Sequence, residues 1–141
     1  MNNSLAQRSE YNGNREELFM LVVRELSSVM YAQAAQWSSF LHTKETFESI
    51  KDTTGDHLAR AAILIMAYMA SKKWDVAPNV INFDGRTNLG ARLFAITRII
   101  VYSRDAPGFN QALAAIDLLC RDLKIDLLRH IEARLWYDEN F

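Results

Sequence analysis

Apolar residues recur every three or four positions over most of this chain. From Phe109 to Leu135 they draw one stripe through Phe109, Leu113, Ile116, Cys120, Leu123, Leu127, Ile131 and Leu135, the signature of a helix with a single buried face. The run Leu123-Lys124-Ile125-Asp126 marks where that helix kinks or splits. A second stripe, Phe19, Val22, Val23, Leu26, Val29, Met30, Ala34, Trp37 and Leu41, predicts a first helix from residue 14 to about residue 41. Asn14 is its N-cap, and Glu16 and Glu17 suit the positive end of the helix dipole. At 1.5 Å per residue this helix would be about 40 Å long. Thr43 can cap a short helix over 44–51, and Asp52-Thr53-Thr54-Gly55 then breaks the chain. Residues 56–73 are apolar almost all round, the pattern of a central helix. Thr87 or Asn88 caps another helix over 89–103, and Asp105-Ala106-Pro107-Gly108 separates it from the last stripe. Val80-Ile81-Asn82-Phe83 could extend, but no second strand is visible to pair with it. The pattern predicts an all-α, single-domain bundle of five or six helices over 14–141, preceded by a flexible polar lead-in over 1–13.

Half of the 141 residues are hydrophobic, enough for a core without metal or disulfide staples. Sixteen basic and seventeen acidic residues leave a net charge of −1, so there is no basic excess for general nucleic-acid binding. The one cysteine, Cys120, lies on the apolar stripe and reads as a buried inert thiol. No secretory signal is visible, and the longest apolar run, residues 61–70, is about half of what a bilayer needs. These features predict a cytoplasmic protein with no membrane association.

The catalytic chemistry is thin. His42, His57 and His130 have no second ligand at zinc spacing, and no phosphate loop or dinucleotide fingerprint occurs. No metal ligand set, cofactor or catalytic residue is assigned. Glu48 and Asp52 share a helix face, as a solvated surface also would explain. Arg86, Thr87 and Asn88 precede a helix start, with Arg92 one turn inside it; together they form a candidate site for a nucleotide or another anion. His57 and Arg60 interrupt the most apolar helix, as a paired core charge or as part of a pocket wall. Tyr31, Trp37 and Phe40, with Trp136, Tyr137 and Phe141, supply more aromatic surface than one side of a small bundle easily buries. They are the candidate interface of a homodimer or of a contact with a foreign protein.

Two segments resemble the MazG-like all-α nucleotide pyrophosphatases. The run Leu18-Phe19-Met20-Leu21-Val22-Val23-Arg24-Glu25-Leu26-Ser27-Ser28 is similar to that family's first metal helix, which leads into Glu-Leu-Ser-Glu. Residues 119–127 and then Ile131-Glu132-Ala133-Arg134-Leu135-Trp136-Tyr137-Asp138 resemble its closing helices. The resemblance implies Mg²⁺ held by Glu-x-x-Glu from one helix and Glu-x-x-Asp from another. Glu25 matches the first acid, but Ser28 stands at the second. At the Glu-x-x-Asp positions stand Gly108 and Gln111 on the terminal alignment, or His57 and Arg60 on the central helix. Phosphoryl transfer without those carboxylates loses its charge neutralisation. The leading expectation is therefore a non-enzymatic helical interaction protein, an adaptor or inhibitor such as phages and mobile elements encode, that docks a macromolecular partner. The alternatives are a nucleotide-binding module on a degenerate bundle and an active Mg²⁺-dependent pyrophosphatase.

Overall fold

The computed structural model describes residues 14–37, 39, 41–79, 81 and 88–141. Six helices and no strand are found among them: α1 (Arg15–Val29), α2 (Lys44–Ile50), α3 (Thr54–Ser71), α4 (Leu89–Tyr102), α5 (Ala106–Asp122) and α6 (Leu127–Asn140). The all-α expectation holds. Residues 1–13 and most of the Val80–Phe83 run lie outside the described residues.

Side chains set the helix starts. Asn14 accepts from the backbone N–H groups of Glu16 and Glu17, at 2.8 and 3.2 Å. Thr43 caps α2 through Thr46, Asn88 caps α4 through Ala91, Asp105 caps α5 through Gly108, and Asp126 caps α6 through Arg129. Each satisfies a backbone donor that the helix leaves without a partner. The last stripe is split, not kinked. Lys124 takes a left-handed φ of 61°, and Ile125 N–H turns back to the Cys120 carbonyl at 2.8 Å.

Helix α3 is central, packing on α1, α5 and α6, while α4 lies against α1 and α5 and α2 lies against α6. Leu58, Ile65 and Met69 of α3 meet Leu18, Val22 and Leu26 of α1 and Phe109, Ile116 and Leu119 of α5 in one continuous core. Helices α1 and α4 run antiparallel: Met30 lies beside Gly90, and the Arg15 guanidinium donates to the Ile100, Val101 and Ser103 carbonyls. A cation there also complements the negative end of α4. Cys120 is buried in this core, and burial, with the charge of Asp117, pushes its thiol up to about 12.

The first helix is shorter than its stripe predicts. It ends at Val29, not near Leu41, and the described residues between 30 and 43 are irregular. Ala32, Ala34 and Ala35 offer little surface to bury, whereas Trp37 gains packing by leaving the helix direction. Its ring lies under the Arg129 guanidinium at 3.7 Å and edge-on to His130 at 4.8 Å. The same course brings the Gln33 carbonyl to Thr54 N–H at 2.9 Å, satisfying a donor at the start of α3. Leu41, the last residue of the stripe, is 69% exposed.

Candidate functional site

Glu25 is the acid that the apolar run of α1 carries inward, and only 2% of its surface is exposed. Helix α3 aims two basic side chains at it. His57 Nδ1 lies 3.4 Å from Oε1, within hydrogen-bond reach. Arg60 Nε lies 3.4 Å from Oε2, an ion-pair contact without hydrogen-bond geometry. Arg60 also approaches Asp52 at 3.8 Å, at the rim. The two residues that interrupt the most apolar helix thus form a paired core charge. Ser28, one turn on, uses its hydroxyl to donate to the Arg24 carbonyl. Among the described residues, no three His, Cys, Asp or Glu side chains gather closely enough to hold a metal ion.

A second buried charge lies at the other side of α3. Asp56 is fully buried and accepts a forked pair from Arg134: Nε to Oδ1 at 3.0 Å and an Nη to Oδ2 at 2.6 Å. Asp52 N–H adds a third bond at 2.9 Å, which its left-handed φ of 61° makes possible. The guanidinium lies 4.6 Å from the Phe47 ring centre and also reaches Asp138. Burial lowers the Arg134 pKa, but the Asp56 hydrogen bonds and charge outweigh it, and the net shift is upward. The sequence reading missed this pair. Its signal was a carboxylate in an otherwise apolar helix, which demands a cation that only the fold can name.

The aromatic candidates converge only in part. Phe141 packs against both Trp136 and Tyr137, Tyr137 stacks on Phe47 at 4.0 Å, and His42 stacks on Trp136 at 5.5 Å. Trp37 faces the same region, where a cleft of about 90 Å³ opens between Trp37, residues 41–43, α2 and α6. Thr43, Thr46, Arg129 and Glu132 supply its polar lining. Tyr31 stands apart, 91% exposed, and Phe40 lies outside the described residues. Of the anion candidates, Arg86 and Thr87 lie outside the described residues as well. Asn88 spends its side-chain oxygen on the α4 cap, and buried Arg92 donates to Asp122 at 2.8 Å across to the end of α5.

No helix among the described residues is long and apolar enough to cross a membrane. Comparison with protein-family models, with curated proteins and with solved structures finds no match to this chain.

Proposed function

We propose that this chain is a non-enzymatic helical interaction protein, an adaptor or inhibitor in a reducing cytoplasm, on a bundle resembling the MazG-like pyrophosphatases with its metal position closed. The observation that carries this reading is the pairing of Glu25 with His57 and Arg60, both 3.4 Å away. On the central-helix alignment, those two residues stand where the family has its second acidic pair. A Mg²⁺ site needs several oxygen ligands. Here one carboxylate meets an imidazole and a guanidinium, a donor set that does not suit the ion. The protein's own basic groups stand where a divalent charge would sit, so Glu25 is a structural residue.

The surface offered to a partner is the aromatic face of α6 with the cleft beside it, where Trp37, His42 and Trp136 combine apolar area with Arg129 and Glu132. Self-association through the same rings belongs to this reading. The test has two arms. Incubation with the common ribo- and deoxynucleoside triphosphates plus Mg²⁺ or Mn²⁺ should release no monophosphate. Release that disappears in Glu25→Ala overturns the proposal in favour of an active pyrophosphatase. In the second arm nucleotides should leave Tm unchanged. A rise in Tm that Arg92→Glu abolishes would support the nucleotide-binding alternative instead.

A further inference from the structure

Helix α4 turns Arg92, Leu93, Ile96 and Ile100 inward. On its other side Phe94, Arg98 and Tyr102 follow one another at four-residue spacing and form one ridge along the helix. That ridge faces solvent: Phe94 is 64% exposed, Tyr102 is 74% exposed, and Arg98 between them is exposed as well. A helix side that meets only water usually carries polar residues. Here two aromatic rings flank a guanidinium. Met30 of α1, half-exposed, lies beside Gly90 and adds apolar surface near the start of α4.

The charge along α4 has one sign. Residues 88–104 include three arginines and no acid. Arg92 turns inward to Asp122, and Arg98 and Arg104 are exposed. Arg104, just past the helix end, donates through one Nη to the Val101 and Ser103 carbonyls at 3.0 and 3.1 Å. Arg15 donates to the same two carbonyls, so a nitrogen of each guanidinium lies within two hydrogen-bond lengths of the other. Burial lowers the Arg15 pKa and the charge of Arg104 lowers it further, while Tyr68 and Glu16 act the other way. Asp105, the next residue, is engaged as the α5 cap. A carboxylate brought to this end would offset the crowding of the two cations.

We propose that the Phe94–Arg98–Tyr102 ridge is a docking surface for an amphipathic helix of a partner protein, one that sets a carboxylate between two apolar residues. A row at four-residue spacing interlocks with the matching row of a second helix. The two rings bury the partner's apolar residues, and Arg98 pairs with its acid. Tyr and Arg are also among the residue types that carry most of the binding energy at interfaces. A single strand of nucleic acid suits the ridge less well. It brings one negative charge per nucleotide, against two exposed arginines here on a chain of net charge −1. The ridge lies on a different helix from the aromatic face of α6, and its use does not depend on what that face binds.

Fluorescence anisotropy of the full chain with three labelled probes tests this. The first is an alanine-based helical peptide with Leu, Glu and Leu at successive four-residue steps. The second is the same peptide with Lys for Glu, and the third is a single-stranded oligodeoxythymidylate. Only the first should bind, and added salt should weaken it. Arg98→Glu should weaken it about tenfold and admit the Lys peptide instead. Phe94→Ser with Tyr102→Ser should abolish binding of either peptide. Arg98 is exposed, so Arg98→Glu should leave Tm unchanged. If that variant fails to fold, Arg98→Gln takes its place, and the expected result is loss of the preference for Glu over Lys. Three results overturn the proposal: no binding of the Glu peptide, equal binding of the Glu and Lys peptides, or an affinity that the Arg98 variant leaves unchanged. Preferred binding of the oligonucleotide, lost in Arg98→Glu, also overturns it and assigns the ridge to nucleic acid. A light-scattering mass that falls in Arg98→Glu, with no peptide bound by the unmodified protein, overturns it in favour of a second copy of this chain.

Discussion

Asp56 occupies the first turn of the most apolar helix, out of reach of solvent, and accepts three hydrogen bonds there. Arg134 is held in turn by that carboxylate and by the ring of Phe47. Arg134 has one further carboxylate in reach, Asp138 at 3.4 Å. Removing one partner still leaves the other buried without its forked pair, a loss of about 3–5 kcal/mol. Arg134→Met should cost about that much in urea denaturation, and Asp56→Leu a similar amount. The double variant should be clearly more stable than the sum of the two losses predicts, because no orphaned charge remains. Additive losses would mean that the two residues act independently, despite their forked geometry. Glu25 differs in that its Oε2 has an ion-pair neighbour but no hydrogen bond, and Arg60 is only half-buried. It is the less tightly held of the two buried carboxylates among the described residues.

Helix ends carry most of the information that was readable in the sequence. Asn14, Thr43 and Asn88 cap helices as their spacing predicts, because a short polar side chain before an apolar run has one evident use. The break at 123–126 was legible from Lys124 and Asp126 between apolar neighbours. The end of α1 was not. Met30 keeps helical backbone angles, no Gly or Pro follows it, and the stripe continues in register. The chain turns there because Trp37 packs against α6, a preference held by residues some ninety positions away. The Asp56–Arg134 pair was hidden for the same reason, its members being 78 residues apart. His57 and Arg60 stood out in the sequence, but their shared partner Glu25 is set by the α1–α3 contact alone. Two helix exits also lack the glycine that usually marks them: Lys73 and Lys124 adopt φ values of 60° and 61°. A left-handed conformation costs a side chain about 1–2 kcal/mol, of which glycine avoids the larger part. Lys124→Gly should therefore raise stability by about 0.5–1 kcal/mol, read as a higher urea midpoint with an unchanged slope. A lower midpoint would mean that the lysine stem contributes more packing than its exposure suggests.

At the scale of the molecule, α3, α1, α4 and α5 close a ring of four helices, and α6 covers the outer side of α3. Trp136 and Tyr137 lie on that sixth helix, and Phe141 follows it. Trp136 stacks on His42 and Tyr137 on Phe47, so part of the aromatic surplus is absorbed within the chain. Phe141 at 66% exposure and Tyr31 at 91% are not absorbed, and Met30 and Leu128 are exposed with them. Exposed apolar groups on this scale favour association, and a closed two-fold pair is the commonest form it takes. We expect light scattering at micromolar concentration to give about twice the chain mass of 16.2 kDa. Phe141→Ser with Tyr31→Ser should return the mass to that of one chain and leave Tm almost unchanged, since neither ring is part of the continuous core. A mass of one chain in the unmodified protein would reject self-association. The same rings would then be the first place to seek a foreign partner, by asking whether a protein retained by the wild type is lost with that double substitution.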